Sequence, residues 1–318
     1  MSRLPWIDVA KGLGIILVVY GHAVRGQTAA GLLPSTDAVM WQDHLIYAFH
    51  MPLFFFLSGL VSRQVDSHAA GRFLRGKLMA IVYPYALWSV VQGGLSMIAG
   101  SHANNPETFG SLASIAWRPI DQFWFLYILF LCQLTLLLPR IWLYILPPAG
   151  FLVATHFEVT SILARAVYAL PYFAAGAILT AQPVARWLQD RRAAIALTLF
   201  AWGSFALLAI WPAGGVVGRY ALAVVGIGGM LGLAFALADR APILAKLGEA
   251  SMAIYLAHVI ISAAARTVTA GWAMEFPGFA LVFVTIAGLL GPYVLYMLAR
   301  HHGWLTLLGF GRDRTRTV

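Results

Sequence analysis

Apolar residues occur along this chain in long runs, and polar residues cluster in the gaps between the runs. Each run is close to the roughly 20 residues that an α-helix needs to cross a bilayer. The pattern therefore predicts an all-α polytopic membrane protein with about ten transmembrane helices, forming one membrane domain over residues 1–318. The predicted spans are residues 7–25, 44–62, 78–100, 122–139, 141–156, 162–181, 193–211, 219–238, 250–268 and 278–299.

Basic residues fall mainly in alternate gaps between these spans. The opposite gaps hold chiefly Arg25, Arg118 and Arg219. Because Lys and Arg are enriched in cytoplasmic loops, this asymmetry predicts that both termini are cytoplasmic, with a basic tail from about residue 300 to 318. The basic residues on the predicted inner side are Arg3, Arg63, Arg72, Arg75, Lys77, Arg140, Arg186, Arg191, Arg192, Arg240, Lys246, Arg300, Arg312, Arg314 and Arg316.

The composition is typical of a membrane protein, and it bears on nucleic-acid and metal binding. Hydrophobic residues make up 61% of the 318 residues and charged residues only 10%, whereas about a quarter of the residues of a soluble domain are charged. The net charge of +9 is explained by the cytoplasmic loops, so we expect no nucleic-acid partner. The single cysteine, Cys132, excludes an intramolecular disulfide and a cysteine metal cluster. We expect no metal.

Four glycines in the eighth span resemble a nucleotide-binding pattern. They are Gly226, Gly228, Gly229 and Gly232. A nucleotide-binding glycine loop follows a β-strand, and no strand precedes these residues. Close packing of helices is therefore the favoured interpretation.

The first span carries ionisable residues on one side of the helix. At about 100° per residue, Lys11 and His22 differ by only about 20° around the helix axis, and Asp8 lies within roughly 40° of His22. Charged groups inside a membrane are costly and usually face a protein interior or a wet cavity, where they serve a function. We therefore expect the stripe formed by Asp8, Lys11 and His22 to line a channel or an active site. A histidine that is hydrogen-bonded only for packing is the alternative.

Depth in the predicted topology separates the other candidates into an outer and an inner group. His22 is expected near the outer end of the first span, and His50, Asp121 and Trp124 are expected on the outer side of the second and fourth spans. Lys11 is expected near the inner face, and so are Tyr255 and His258, which lie three residues apart on the ninth span.

Arg72, Arg75 and Lys77 crowd the predicted inner loop before the third span. Arg and Lys bind phosphate through charge-assisted hydrogen bonds, so this cluster suits a phosphate-rich donor. The preference of basic residues for cytoplasmic loops is an equally good explanation.

Histidine is the usual general base because its pKa lies near neutrality. The chain lacks the Gly-x-Ser-x-Gly sequence of a serine hydrolase, and Ser58-Gly59 is better explained by close helix packing. A histidine general base in the first span is thus the main catalytic hypothesis.

Several short motifs, in order along most of the chain, resemble the acyltransferase-3 family of integral membrane acyltransferases, close to its fucose O-acetylase-like branch. The chain has Lys11 where most members of that family have arginine. The motifs are Asp8-x-x-Lys11-Gly12 with His22 after it, Phe49-His50-Met51-Pro52 continuing to Ser58-Gly59, Pro84-Tyr85 with Trp88, Trp124-Phe125-Leu126, Tyr172-Phe173-x-x-Gly176 and Ser251-x-x-x-Tyr255-x-x-His258.

The resemblance implies transfer of an acyl group, most often acetyl, from cytoplasmic acyl-CoA to a carbohydrate or glycolipid hydroxyl at the outer face of a bacterial inner membrane. His22 would act as the base, and a covalent acyl-histidine is a second route. Asp8 and Lys11 would support catalysis. The expected acceptor-binding residues are His50, Asp121 and Trp124, and the expected acyl-CoA-binding residues are Arg72, Arg75, Lys77, Tyr85, Tyr255 and His258.

A transporter or flippase for a glycan or glycolipid is the main alternative without catalysis. Such a protein often has repeat symmetry and broken helices around a site at the middle of the membrane. Pro147-Pro148 in the fifth span is the one interruption of that kind in the sequence. A purely structural scaffold would leave the charges of the first span without a use.

Overall fold

A computed structural model describes residues 4–100, 104, 106–156, 162–188, 190–210 and 215–311. These residues form helices and turns, and no strand is found among them. Arg3, Arg312, Arg314 and Arg316 of the predicted inner side lie outside the described residues, as does the end of the predicted basic tail.

Fourteen α-helices are found in the described residues. Short 3₁₀ or π segments, such as Leu78–Val82 and Asp121–Phe123, join some of them. The α-helices are α1 Pro5–Ala29, α2 Asp37–Leu60, α3 Ala70–Lys77, α4 Tyr83–Ala99, α5 Phe109–Ala113, α6 Trp124–Leu134, α7 Trp142–His156, α8 Ile162–Leu179, α9 Ala181–Trp187, α10 Arg191–Ile210, α11 Gly215–Leu237, α12 Pro242–Glu249, α13 Ser251–Ala273 and α14 Pro277–His302.

The helices confirm an all-α polytopic membrane protein, and each predicted span corresponds to a helix. Within the described part of the chain, seven helical segments are long and apolar enough to cross a membrane. They include α1, α13, α14 and the continuous stretch Ala70–Ala99. Asp121–Leu137 and Trp142–Val153 are apolar but shorter. The number of ten crossings stays a prediction.

The chain folds into two compact units, between which it passes several times. The first unit comprises Met1–Gly14, Tyr47–Leu78 and Phe125–Gly248. The second comprises Ile15–Ile46, Met79–Trp124 and Glu249–Val318. The expectation of a single membrane domain stays a prediction.

In the first unit, α2 and α8 approach each other through a reciprocal pair of glycines. A Cβ at Gly59 would lie 2.1 Å from the carbonyl oxygen of Phe173, and a Cβ at Gly176 would lie 2.2 Å from that of Phe56. Both distances are far too short for any side chain. The two backbones therefore pack directly against each other, as small residues allow in membranes.

The glycines of α11 serve the same purpose, which confirms the close-packing interpretation. The ring of Phe49 fills the space beside Gly226, and the indole of Trp202 fills the space beside Gly229. A Cβ at Gly232 would lie 2.7 Å from the carbonyl oxygen of Ala194 in α10.

The second unit packs the later part of α1 against α13 and α14. Ala23, Ala265 and Val284 form a buried contact between the three helices. Close to it, a Cβ at Gly288 of α14 would lie 2.9 Å from the side chain of Val19. This contact aligns α1 with α13 and so positions the site described below.

The segment between α4 and α6 also packs within the second unit. Leu112 lies so close to Gly93 that a Cβ there would be 2.4 Å away, and the hydroxyl of Tyr85 donates a hydrogen bond to the carbonyl of Ile115. This segment thus follows α4 over more than two helical turns, and it leads directly into the Asp121–Phe123 turn.

Substitution of Gly176 by alanine tests the direct backbone contact. We expect Gly176→Ala to lower the thermal unfolding temperature in detergent by several degrees, because the new methyl group meets the rigid backbone of α2. Gly203→Ala is the matched control, since no atom lies within 4 Å of a Cβ at that helical position. Alanine favours helix over glycine by about 1 kcal/mol, so the control is expected to be neutral or slightly stabilised. Equal unfolding temperatures for the two variants would contradict the contact.

Candidate active site

His22 of α1 and His258 of α13 form a ring pair inside the second unit. Their ring centroids lie 4.9 Å apart at an interplanar angle of 85°, an edge-to-face arrangement. His258 is fully buried and His22 is partly exposed. From the sequence, Tyr255 and His258 were expected near the inner face, away from His22. That placement is wrong, because the packing of α1 on α13 brings the two imidazoles together.

The helix backbone holds one nitrogen of each ring. Nδ1 of His22 lies 2.9 Å from the carbonyl oxygen of Val18, and Nδ1 of His258 lies 2.8 Å from that of Tyr255. A carbonyl oxygen only accepts hydrogen bonds, so Nδ1 carries the hydrogen in each neutral ring. The lone pair is then on Nε2. This is the tautomer that a base needs if it acts away from its own helix.

A hydrogen-bond network extends from the histidine pair to the turn before α6. The hydroxyl of Tyr255 donates to the backbone carbonyl of Gln122 at 2.5 Å. The side chains of Gln122 and Gln92 bond reciprocally, at 2.7 and 3.2 Å, and the Gln92 amide also donates to a carboxylate oxygen of Asp121 at 2.9 Å. Asp121 is thereby connected, through three residues, to the helix that carries His258.

Asp121 has an unusual backbone conformation. Its φ of 40° lies in the left-handed region, which residues other than glycine seldom adopt. Such residues are found where the surrounding structure holds them, often at functional sites. Here the Gln92 hydrogen bond holds the part-buried carboxylate, although the residue as a whole is exposed. Trp124 follows directly and begins α6.

Asp8 and Lys11 belong to the first unit, at the beginning of α1. Nζ of Lys11 lies 3.9 Å from a carboxylate oxygen of Asp8, one turn earlier on the helix. Both side chains are mostly buried, with 32% of Lys11 and 15% of Asp8 exposed. The ion pair reduces the cost of placing these charges in an apolar helix.

His50 is also in the first unit, on α2, and it is fully buried. The ring of Tyr47 packs edge-to-face against it, with the centroids 4.5 Å apart. His50 belongs to the first unit, and His22 and Asp121 belong to the second.

Of the residues expected to bind acyl-CoA, three lie together. Arg72, Arg75 and Lys77 lie on the short helix α3, where both arginines are exposed and Lys77 lies 5.2 Å over the ring of Phe73. Tyr85 is instead buried in the second unit, and its hydroxyl hydrogen is used by the carbonyl of Ile115.

Sequence reasoning missed Gln92 and Gln122, which join Asp121 to Tyr255. Both are buried amides, at 5% and 4% exposure, in otherwise apolar segments. Their polarity within apolar runs was the available signal, because a buried amide needs partners. Among the described residues, no three His, Cys, Asp or Glu side chains gather in a way that would hold a metal ion.

Comparison with known proteins gives one match. The acyltransferase-domain model of the acyltransferase-3 family matches residues 4–297, nearly the whole chain. No curated protein and no solved structure matches it.

Removal of the Tyr255 hydroxyl tests the network. We expect Tyr255→Phe to lower the free energy of unfolding by about 1 kcal/mol, because the buried carbonyl of Gln122 loses its partner. Tyr144→Phe is the control, since Tyr144 is 47% exposed. Chemical denaturation of the purified protein in detergent measures both. A Tyr255→Phe variant as stable as the control would argue against the hydrogen bond.

Proposed function

This chain belongs to the acyltransferase-3 family, and we propose that it moves an acyl group, with acetyl as the expected group, from cytoplasmic acyl-CoA to a hydroxyl of a carbohydrate or glycoconjugate at the outer face. The chain is an integral membrane protein. We place it in the inner membrane of a bacterium, with both termini in the cytoplasm. Family membership supports acyl transfer and gives no support to the transporter alternative.

The observation that carries this proposal is the state of His22. Its Nδ1 is held by the Val18 carbonyl, the residue as a whole is partly exposed, and it lies on a helix that is apolar enough to cross the membrane. A base of this kind needs a fixed tautomer and access to its substrate. The held Nδ1 and the partial exposure of residue His22 support this role, whereas His258 is fully buried.

In the proposed step, Nε2 of His22 takes the proton of the acceptor hydroxyl. The oxygen attacks the carbonyl carbon of the thioester, and a new carbon–oxygen bond forms. The carbon–sulfur bond then breaks, and the CoA thiolate leaves with the proton that His22 returns. Acyl ester and free CoA are the products. A positioned histidine contributes about 10²- to 10⁴-fold to such a step.

The position of His258 changes the role that we propose for it. Packed against His22 and fixed at Nδ1 by its own helix, it suits a positioning residue at the acyl-transfer step better than a donor-binding residue. Tyr255 supports the same helix through Gln122. Asp8 and Lys11 keep their proposed supporting role at the beginning of α1.

We further propose that the acceptor binds near Asp121 and Trp124, and His50 stays a proposed acceptor-binding residue. Asp121 is an exposed residue whose carboxylate can accept hydrogen bonds from sugar hydroxyls. On the donor side, Arg72 and Arg75 are exposed and Lys77 lies beside them, so their charges suit the phosphates of CoA. Tyr85 stays a proposed acyl-CoA-binding residue. Its hydroxyl is already hydrogen-bonded, so we propose that its ring makes the contact.

Replacement of His22 tests the base. We expect His22→Ala to remain in the membrane and to lose acyl transfer by at least about 100-fold, since the acceptor is no longer deprotonated. Transfer of radiolabel from acetyl-CoA to candidate glycans measures the rate. His44→Ala is the control, because His44 is exposed on α2. Near-normal turnover in His22→Ala would rule out the base role.

A double variant tests the donor site. We expect Arg72→Ala with Arg75→Ala to weaken acetyl-CoA binding about tenfold or more, because charge-assisted hydrogen bonds to phosphate are lost. Titration calorimetry of the purified protein gives the affinity. Arg191→Ala with Arg192→Ala removes equal charge from another predicted cytoplasmic position. Equal affinities for the two double variants would remove the phosphate assignment.

A further inference from the structure

A row of polar side chains lies along α13, on the side that meets α1 and α14. His258, Ser262 and Arg266 are spaced four residues apart, so successive members differ by about 40° around the axis. His258 packs on His22 of α1. Ser262 lies next to Gly288 of α14, where a Cβ would come within 2.3 Å of its hydroxyl oxygen. Arg266 lies against Gly26 of α1, one turn beyond His22.

Several buried polar atoms of this region lack hydrogen-bond partners within the described ranges. Nε2 of His258 and Oγ of Ser262 have none, although the two side chains are 0% and 6% exposed. Gln27, adjacent to Gly26, is 1% exposed, and neither its amide nitrogen nor its oxygen has a partner there. Buried polar groups are nearly always hydrogen-bonded, so such a cluster indicates a polar ligand or water in the functioning protein.

Arg266 is the charged member of the row. Its guanidinium is partly buried, and among the residues that the structure describes it makes no ion pair or hydrogen bond. Arg25, nearby on α1, differs in this respect, because Nε and Nη2 donate to the two carboxylate oxygens of Asp43 at 2.7 and 2.8 Å. A guanidinium is always charged, and its planar donors fit a carboxylate or phosphate.

Gly26 provides the space for this guanidinium. A Cβ at position 26 would lie 2.7 Å from Nη1 of Arg266, and the next nearest atom would be the guanidinium carbon at 4.0 Å. The absence of a side chain on α1 therefore lets the arginine reach the side of the helix that carries His22. Gly26 and His22 are separated by about 6 Å along the axis, a distance comparable to the width of one sugar ring.

We propose that Arg266 binds an anionic group of the acceptor, a carboxylate or a phosphate, while His22 engages the hydroxyl that is acylated. The inference rests on the proposed function for the role of His22. It adds that the acceptor is an acidic sugar, either a uronic acid or a sugar phosphate. In the proposed topology Gly26 and Arg266 lie beyond His22 toward the outer face, the side from which the acceptor enters.

Binding of matched sugars tests this directly, with no donor present. The probes are methyl glucuronide, glucose 6-phosphate and the neutral methyl glucoside, titrated into the full-length protein in lipid nanodiscs. We expect at least one anionic probe to bind the unmodified protein about tenfold or more tightly than the glucoside. That preference is expected to weaken with added salt, since the attraction is electrostatic.

Three variants identify the residue responsible. Arg266→Gln is expected to abolish the preference for the anionic probe. Arg165→Gln is the control, because it changes an arginine of the first unit, and it is expected to keep the preference. Gly26→Ala is expected to fold normally and to lose the preference, because the methyl group meets only the mobile end of Arg266. This variant keeps the test valid if Arg266→Gln proves unstable.

The outcomes separate this inference from the proposed function. Preference for an anionic probe that disappears in Arg266→Gln and Gly26→Ala supports it. Equal binding of all three probes to the unmodified protein, or a preference that survives in both variants, overturns it. Cleavage of acetyl-CoA is measured in separate portions of the same protein preparations, to which the donor is added. Equal binding of the three probes to the unmodified protein, together with normal His22-dependent cleavage, would thus refute only the inference.

Discussion

A polar group inside an apolar helix needs a partner, because hydrocarbon offers none. Several of the described polar side chains meet this requirement, each in a different way. Lys11 pairs with Asp8, the Gln92 and Gln122 amides bond each other, and the hydroxyl of Tyr255 uses a backbone carbonyl. In the histidine pair, each ring is held through Nδ1 by a carbonyl of its own helix.

Close helix packing makes this arrangement possible. In the second unit, small residues such as Ala23 and Ala265 let α1 approach α13, which brings the two imidazoles to 4.9 Å. In the first unit, Gly59 and Gly176 do the same for α2 and α8. Precise helix contacts thus fix the positions of the polar groups, and the chemistry that we propose depends on those contacts.

Much of the fold was predictable from the sequence, because hydrophobic runs and glycine patterns report local structure. Every predicted span corresponds to a helix, and the glycines of α11 pack as expected. The predicted depth of His258 was wrong, because an estimate made along one helix does not show which neighbouring helix His258 packs against. Gln92 and Gln122 were missed for a similar reason, since pairing between distant segments leaves no periodic signal. The roles of the site residues stay predictions.

The central claim is that His22 of α1 lies beside the thioester carbonyl of bound acyl-CoA. A cryo-electron microscopy map of the full chain with a non-hydrolysable acetyl-CoA analogue measures this most directly. The account predicts that the acyl carbonyl lies beside His22, with room for a hydroxyl within about 3 Å of Nε2. An acyl group bound elsewhere in the molecule, with protein side chains between it and His22, would contradict the account.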